Sequence, residues 1–297
     1  MTTPAVMEPM RLDFDAIERR ERLSLRSSWL ALGACALISL VWLVPFYYLA
    51  MTVFKTTEEY THSDPFAPPG SLAPIVDNAI TAWNEANMGL GMANSALYGA
   101  IGAGLAVLFA AMAAFGLTRL DYRGKNPLFM VIFAGTVFPF QMYLIPLFFI
   151  YGRLGILNTH FGMLLFYTSI CIPFPTLVLK NFMGALSREI DEAARMEGAG
   201  EFTVFARIVL PNALGPMTAT FLLQFTWIWN DLLFSTVLGN QTEVRSIMNS
   251  LQVFQGSYAS TGPNVVLTAA LIASLPSIAL FLLLRRHFME GLKVSGL

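Results

Sequence analysis

The sequence predicts an all-α integral membrane protein with six transmembrane helices, and three observations carry that prediction. Of its 297 residues only 12% are charged and 56% are hydrophobic, whereas a typical soluble domain carries about 25% charged residues. Six apolar stretches are each long enough, at 1.5 Å per residue, to cross a hydrocarbon core of about 30 Å. Loops rich in Lys and Arg alternate with loops poor in them. Backbone groups find no water inside a bilayer, so each stretch must be helical.

Residues 1–28 form a polar N-terminal segment with Arg11, Arg19, Arg20, Arg22 and Arg26 among five acidic residues. The part around 13–22 suits either a short surface helix or no fixed structure. The first span, 29–54, contains no charge and exceeds the apolar core of about 7–15 residues found in a cleaved signal peptide. Residues 55–93 make an external loop with Pro65, Pro68, Pro69 and Pro74, and with five acids against Lys55. There Pro74 opens a short helix whose Val76, Ile80 and Trp83 share one face. That face suits either the membrane interface or a landing surface for an external partner.

Five further spans occupy 94–284. They are Asn94–Thr118, Pro127–Tyr151, Phe161–Met183 with Lys180 near its end, Ala213–Leu238 with Asp231, and Val265–Leu284. Residues 285–297 form a tail. Fifteen of the 18 Lys and Arg fall on one side: in the N-terminal segment, the 119–126 loop, the segment from Lys180 to Pro211, and the tail. Lys55, Arg153 and Arg245 fall on the other. By the positive-inside rule both termini are cytoplasmic.

The segment 187–211 is the charged, helix-patterned interruption of this apolar half. Ser187 is placed to cap a helix, and Glu189 and Asp191 sit in its first turn, where the macrodipole favours acids. Ala193 and Ala194 are small helix formers, and Gly198 and Gly200 supply a left-handed stop. Phe202, Phe205, Ile208 and Val209 pattern a second short helix, which Pro211 is expected to end. An elbow of two short helices on the cytoplasmic face follows.

Glu192-Ala193-Ala194, Gly198, Ile208 and Leu210-Pro211 match the spacing E-A-A-x3-G-x9-I-x-L-P without a gap. That pattern resembles the coupling loop of permease subunits of type I ATP-binding-cassette importers. Asn94-Ser95, the run Ala113 to Arg119, Pro139-x-Gln141, Ile145-Pro146-Leu147 and Leu154 to Thr159 narrow the resemblance to carbohydrate importers. Trp229-Asn230-Asp231 and the tail from His287 to Lys293 do likewise, and the subunit resembles the smaller maltose permease. The resemblance implies four things. A second permease completes a heterodimer, a pair of ATPases uses ATP and Mg, an external binding protein delivers the solute, and this chain binds no cofactor. It also implies a prokaryotic cytoplasmic membrane and contact with its lipid.

In that frame Glu192, Ala193, Ala194, Gly198, Ile208, Leu210 and Pro211 couple to the ATPase. Gln141, Gln224, Trp227, Asn230 and Asp231 are candidates for the solute path, since amides and aromatics suit sugar hydroxyls and ring faces. Asp231 reads equally well as an interfacial acid, and Lys180 as a snorkelling anchor. A sugar is the expected solute, with glycerol phosphate or a polyamine as the alternative.

Other classes find little support. Gly124-Lys125-Asn126 lacks the phosphate-loop spacing, so no ATPase is expected in this chain. A net charge of -1 gives no basis for nucleic-acid binding. Cys35 and Cys171 lie within apolar runs and His62, His160 and His287 are scattered, so neither a metal site nor an enzyme centre is expected. An ion-coupled carrier needs titratable groups near midplane, and the spans hold almost none.

Overall fold

A computed structural model describes residues 14–255 and 261–294. Among the described residues the regular structure is entirely helical. The first helix, α1 (Phe14–Thr52), includes 14–22, which settles for those residues the choice left open by the sequence. The start of the N-terminal segment and the end of the tail lie outside the described residues.

Short helices α2 (Thr57–His62) and α3 (Pro74–Glu85) follow at one end of the molecule. In α3, Pro74 stands at the first turn and Val76, Ile80 and Trp83 are exposed, whereas Asn78 and Ala82 are buried. The apolar face therefore points away from the protein. That is the disposition expected of an interfacial helix.

The second span is α4 (Met88–Arg119), which begins six residues before the charge-free stretch. A π-helical turn at Tyr98–Gly102 interrupts it. Gly99 and Gly102 lie on that turn, and a Cβ on Gly99 would meet the Phe225 ring at 2.7 Å. Glycine there lets the second and fifth spans come within contact of each other. Below the turn, Ala103, Ala106, Ala110, Ala111 and Ala114 are all buried and extend this close packing.

The third, fourth and fifth spans are not the straight helices expected. The third breaks into α5 (Lys125–Val137) and α6 (Phe140–Leu154), bent by 97°. Pro139 forces Phe138 into extended backbone (φ -74°, ψ 135°), because a residue before proline avoids the helical region. The fourth is α7 (His160–Cys171) and α8 (Pro173–Ala185), bent by 41° at Pro173. The fifth helix, α11 (Leu214–Trp229), ends at Asn230 and does not run on to Leu238. After Asn230 and Asp231 a separate α12 (Leu233–Leu238) begins. A short α13 (Ile247–Ser250) comes next, and the last span, α14 (Pro263–Val294), is continuous.

Among the described residues three helices are long and apolar enough to cross a membrane, and up to six spans result if each bent pair counts as one. Ala31–Thr52 of α1 has none of its span window buried against the rest of the chain. Its exposed Leu37, Val41 and Trp42 therefore require lipid or another protein around them.

Candidate functional site: the elbow and its anchoring

Between α8 and α11 the chain forms the expected elbow, built from α9 (Glu189–Met196) and α10 (Glu201–Asn212). Its start differs by one residue from expectation. Arg188 occupies the cap position, and the Ser187 hydroxyl accepts only from the Glu189 amide, at 3.3 Å. The stop is as expected at Gly198, whose φ is +88°. Gly200 is not left-handed: at φ -74°, ψ 163° it is the extended residue that leads into α10.

Across this turn Arg195 grips Glu201 with two parallel bonds, Nε to Oε1 at 2.8 Å and Nη2 to Oε2 at 3.0 Å. The hydrogen bond from Arg195 holds the Glu201 carboxyl below its ordinary value. The same bond raises Arg195.

Pro211 does not stop the second helix. Its ring removes a helical bond and crowds the carbonyl of Arg207 one turn earlier. The chain answers by widening into a π turn at Phe205–Val209 and continuing to Asn212. Asn212 Nδ2 donates to the Ile208 carbonyl at 2.7 Å. The direction changes afterwards, at Ala213, where α10 and α11 meet at 74°.

The elbow has an inner and an outer surface. Val204, Phe205, Val209 and Ala213 pack with Ala110, Ala111, Ala114, Leu179 and Met183 into one core cluster. Glu192, Ala193, Gly198 and Pro211 are exposed, and Ala194, Ile208 and Leu210 are half-buried. Ile190, Met196 and Phe202 present large apolar side chains to the outside. Small, apolar and acidic groups thus form one outward ridge.

What holds this ridge to the membrane helices is a contact the sequence reading missed. Arg119, the last residue of α4, places Nε 2.7 Å from Oδ2 of Asp191, with both side chains buried. The pair is close in distance but not aligned as a hydrogen bond. Arg119 Nη2 also donates to the Leu186 carbonyl at 3.2 Å, and Arg188 Nη2 donates back to the Thr118 carbonyl at 2.9 Å. In the sequence Arg119 reads as a side marker and the end of a motif run, and Asp191 as a first-turn acid. No local pattern links them, because the pairing arises only when α4 and α9 meet. Lys180 lies with Nζ 4.2 Å from the centroid of the Phe129 ring, tying α8 to α5.

The motif residues at the opposite end are joints. Asn94 Nδ2 donates to the carbonyls of Glu243 and Arg245, and the Ser95 hydroxyl accepts from the Ile247 amide. Tyr98 donates its hydroxyl to the Val244 carbonyl at 2.7 Å and also bonds His160 Nδ1 at 2.9 Å. Gly155 and Asn158 both take positive φ, and Asn158 Oδ1 accepts from the amides of Asn240 and Gln241.

The five path candidates do not form one group. Trp229 Nε1 donates to the Ala273 carbonyl at 2.9 Å, which locks the end of α11 to α14. Asn230 is exposed and donates to Thr226 within its own helix. Asp231 is buried, accepting from the Tyr167 hydroxyl at 2.9 Å and from the amides of Phe234 and Ser235. Its carboxylate caps α12. Gln141 is exposed just after the break in the third span. Gln224 and Trp227 line one cavity, and Trp227, Asn230 and Asp231 line a second. Among the described residues no group of three or more His, Cys, Asp or Glu could hold a metal ion.

Comparison with known proteins agrees with this architecture. The chain is 31% identical over 236 residues to the diacetylchitobiose uptake system permease protein of Streptomyces coelicolor, covering 77% of each chain. It is 29% identical over 259 residues to the melibiose/raffinose/stachyose import permease protein of Bacillus subtilis, covering 86% of this chain and 92% of that one. Its fold is shared with a chain of a bacterial ABC transporter involved in the import of the acidic polysaccharide alginate. The TM-score is 0.62 at 13% identity, over 91% of this chain and 99% of that one. Residues 106–294, which contain the elbow and the helices it is anchored to, match binding-protein-dependent transport system inner membrane components, and the chain belongs to that family as a multi-pass permease subunit.

Proposed function

We propose that this chain is one of two permease subunits through which an ATP-driven importer carries a neutral sugar into the cell. The observation that carries this reading is the elbow, which turns a small-residue, acidic and apolar ridge outward while a buried ion pair fastens it to a membrane helix. Such a ridge fits a cleft on a separate ATPase. The carboxylate of Glu192 meets a basic group there, and Ala193 permits close approach. Rigid-body movement of the ATPase pair then rocks the helices between two states of access. ATP and Mg act on the partner, and this chain performs no catalytic step.

Supporting the solute class, the relatives include permeases for diacetylchitobiose, for melibiose, raffinose and stachyose, and for alpha-glucosides. The charge distribution supports cytoplasmic placement of the elbow and both termini. The exposed surface of α1 supports a second permease beside it, and an external binding protein hands over the solute.

The test is the assembled importer in proteoliposomes, assayed with melibiose, raffinose and diacetylchitobiose. Sugar-dependent ATP hydrolysis and uptake are expected. Gly198→Val is expected to abolish uptake and weaken retention of the ATPase on purification. Glu192→Lys should act likewise and be partly restored by an acid introduced on the ATPase. Normal sugar-stimulated hydrolysis by the Gly198 variant would refute coupling through the elbow. Transport of glycerol phosphate or a polyamine alone would refute the sugar.

A further inference from the structure

Helix α3 presents three faces of different chemistry. Val76, Ile80 and Trp83 form an apolar stripe and are 58%, 54% and 46% exposed. Asp77, Thr81 and Glu85 line a polar hollow of about 330 Å³ shared with α2 and the start of α14. Asn78 and Ala82 form the third face and are buried.

The buried face is tied down. Asn78 Nδ2 donates to the carbonyls of Val53 and Lys55, at 2.9 and 3.0 Å, and its Oδ1 accepts from Asn264 Nδ2 at 2.7 Å. Lys55, the only Lys or Arg in 55–93, is fully buried and donates to the Asp64 carbonyl at 2.7 Å. These bonds join α3 to the end of α1 and the first turn of α14. The helix cannot roll its apolar stripe inward without breaking them, and exposed apolar stripes mark a membrane or partner surface.

Its level along the molecule distinguishes the two. Every exposed residue of α4 from Leu90 to Met112 is apolar, a length of about 33 Å at 1.5 Å per residue, which matches a hydrocarbon core of about 30 Å. A Cβ on Gly89 would meet the Trp83 ring at 3.2 Å, so Trp83 lies against the residue just beyond that apolar length. Tryptophan is enriched at this boundary, where its apolar ring and polar N–H are both accommodated. A partner that delivers solute comes and goes, and a face kept for it would stand in water between encounters. The bilayer is always present.

We infer that Val76, Ile80 and Trp83 form a lipid-docking surface, by which α3 lies in the headgroup boundary of the outer leaflet with Trp83 as its anchor. Which leaflet this is follows from the orientation proposed above, whereas contact with lipid does not depend on it.

The test places a nitroxide at Ile80→Cys, and separately at Asp77→Cys, in a chain with Cys35→Ser and Cys171→Ala. The chain is assembled with its partner subunits in phospholipid nanodiscs. Collision with oxygen, which concentrates in lipid, is compared with collision with a water-soluble nickel chelate. The label at 80 is expected to meet oxygen more than the chelate, and the label at 77 the reverse. Adding the external binding protein should leave the label at 80 unchanged.

Predominant chelate contact at 80 would place the stripe in water, and low contact with both reagents would mean that protein covers it. Either result overturns the inference, as does shielding of position 80 by the added binding protein. If the labelled chain does not assemble, tryptophan fluorescence of the unlabelled importer is quenched with lipids brominated near the top of the acyl chain. The quenched share must then fall in Trp83→Phe relative to wild type, or the inference falls. Neither measurement uses a sugar, so its outcome stands apart from that of the solute reading.

Discussion

Arg119 and Asp191 meet at 2.7 Å with their side chains 2% and 3% exposed, and they join the end of the second span to the first helix of the elbow. A buried ion pair contributes little net stability, but removing one partner leaves an uncompensated charge and costs about 3–5 kcal/mol. Asp191→Asn and Arg119→Met should therefore each lower the melting temperature of the assembled importer sharply and loosen sugar uptake from ATP hydrolysis. The double variant Arg119→Met with Asp191→Leu should be more stable than either single one. A double-mutant cycle on melting temperature checks this, and strict additivity would contradict the pairing.

At the bend of the elbow, backbone conformation and space separate cleanly. A Cβ on Gly198 or on Gly200 would meet nothing within 4 Å, but only Gly198 has positive φ, at +88°. Gly198→Ala is expected to cost about 1–2 kcal/mol, the penalty of placing an L side chain in left-handed backbone. Gly200→Ala should stay within about 0.5 kcal/mol. Thermal unfolding of the two variants, with retention of the ATPase as a second readout, decides the point.

The Arg195–Glu201 clamp predicts a pH dependence of known sign. Glu201 lies below its ordinary value of 4.5 because Arg195 bonds its carboxylate. A depressed carboxyl adds its contribution above the unfolded value and loses it as pH falls through the folded one. Retention of the ATPase should be constant from about pH 8 to pH 5 and weaken below the ordinary glutamate range. Glu201→Gln should remove the clamp's share of that acid response. An acid response identical in the two forms would argue against the clamp.

Helix contact in the membrane can be tested at two glycines of α4. On Gly99 a Cβ would meet the Phe225 ring at 2.7 Å, whereas on Gly104 it would meet nothing within 4 Å. Gly99→Val should destabilise by about 1–3 kcal/mol through overpacking. Gly104→Ala should be neutral or stabilising by up to about 1 kcal/mol, as a helical glycine-to-alanine change. Melting temperatures in detergent measure both.

Much of the elbow was legible because its signals are local. Gly198 needs left-handed backbone, and the row of Phe205 and Val209 needs a core to face. Gly200 and Pro211 were misread for the same locality. A glycine also serves in extended backbone, and a proline is tolerated in a helix that widens and has Asn212 to satisfy a carbonyl. The path candidates were legible only as residue types. Composition does not reveal that Asp231 is held by Tyr167, Phe234 and Ser235.

From the sequence alone come the six apolar stretches, the alternation of loops rich and poor in Lys and Arg, and the residue types of the elbow. Hydropathy and charge act residue by residue, so a linear reading captures them. Tertiary structure alone decided the bends of 97° and 74°, the joining of Arg119 to Asp191, and the gathering of Gln224 and Trp227 around one cavity. Each depends on which helices meet, and packing between residues far apart in the chain sets that.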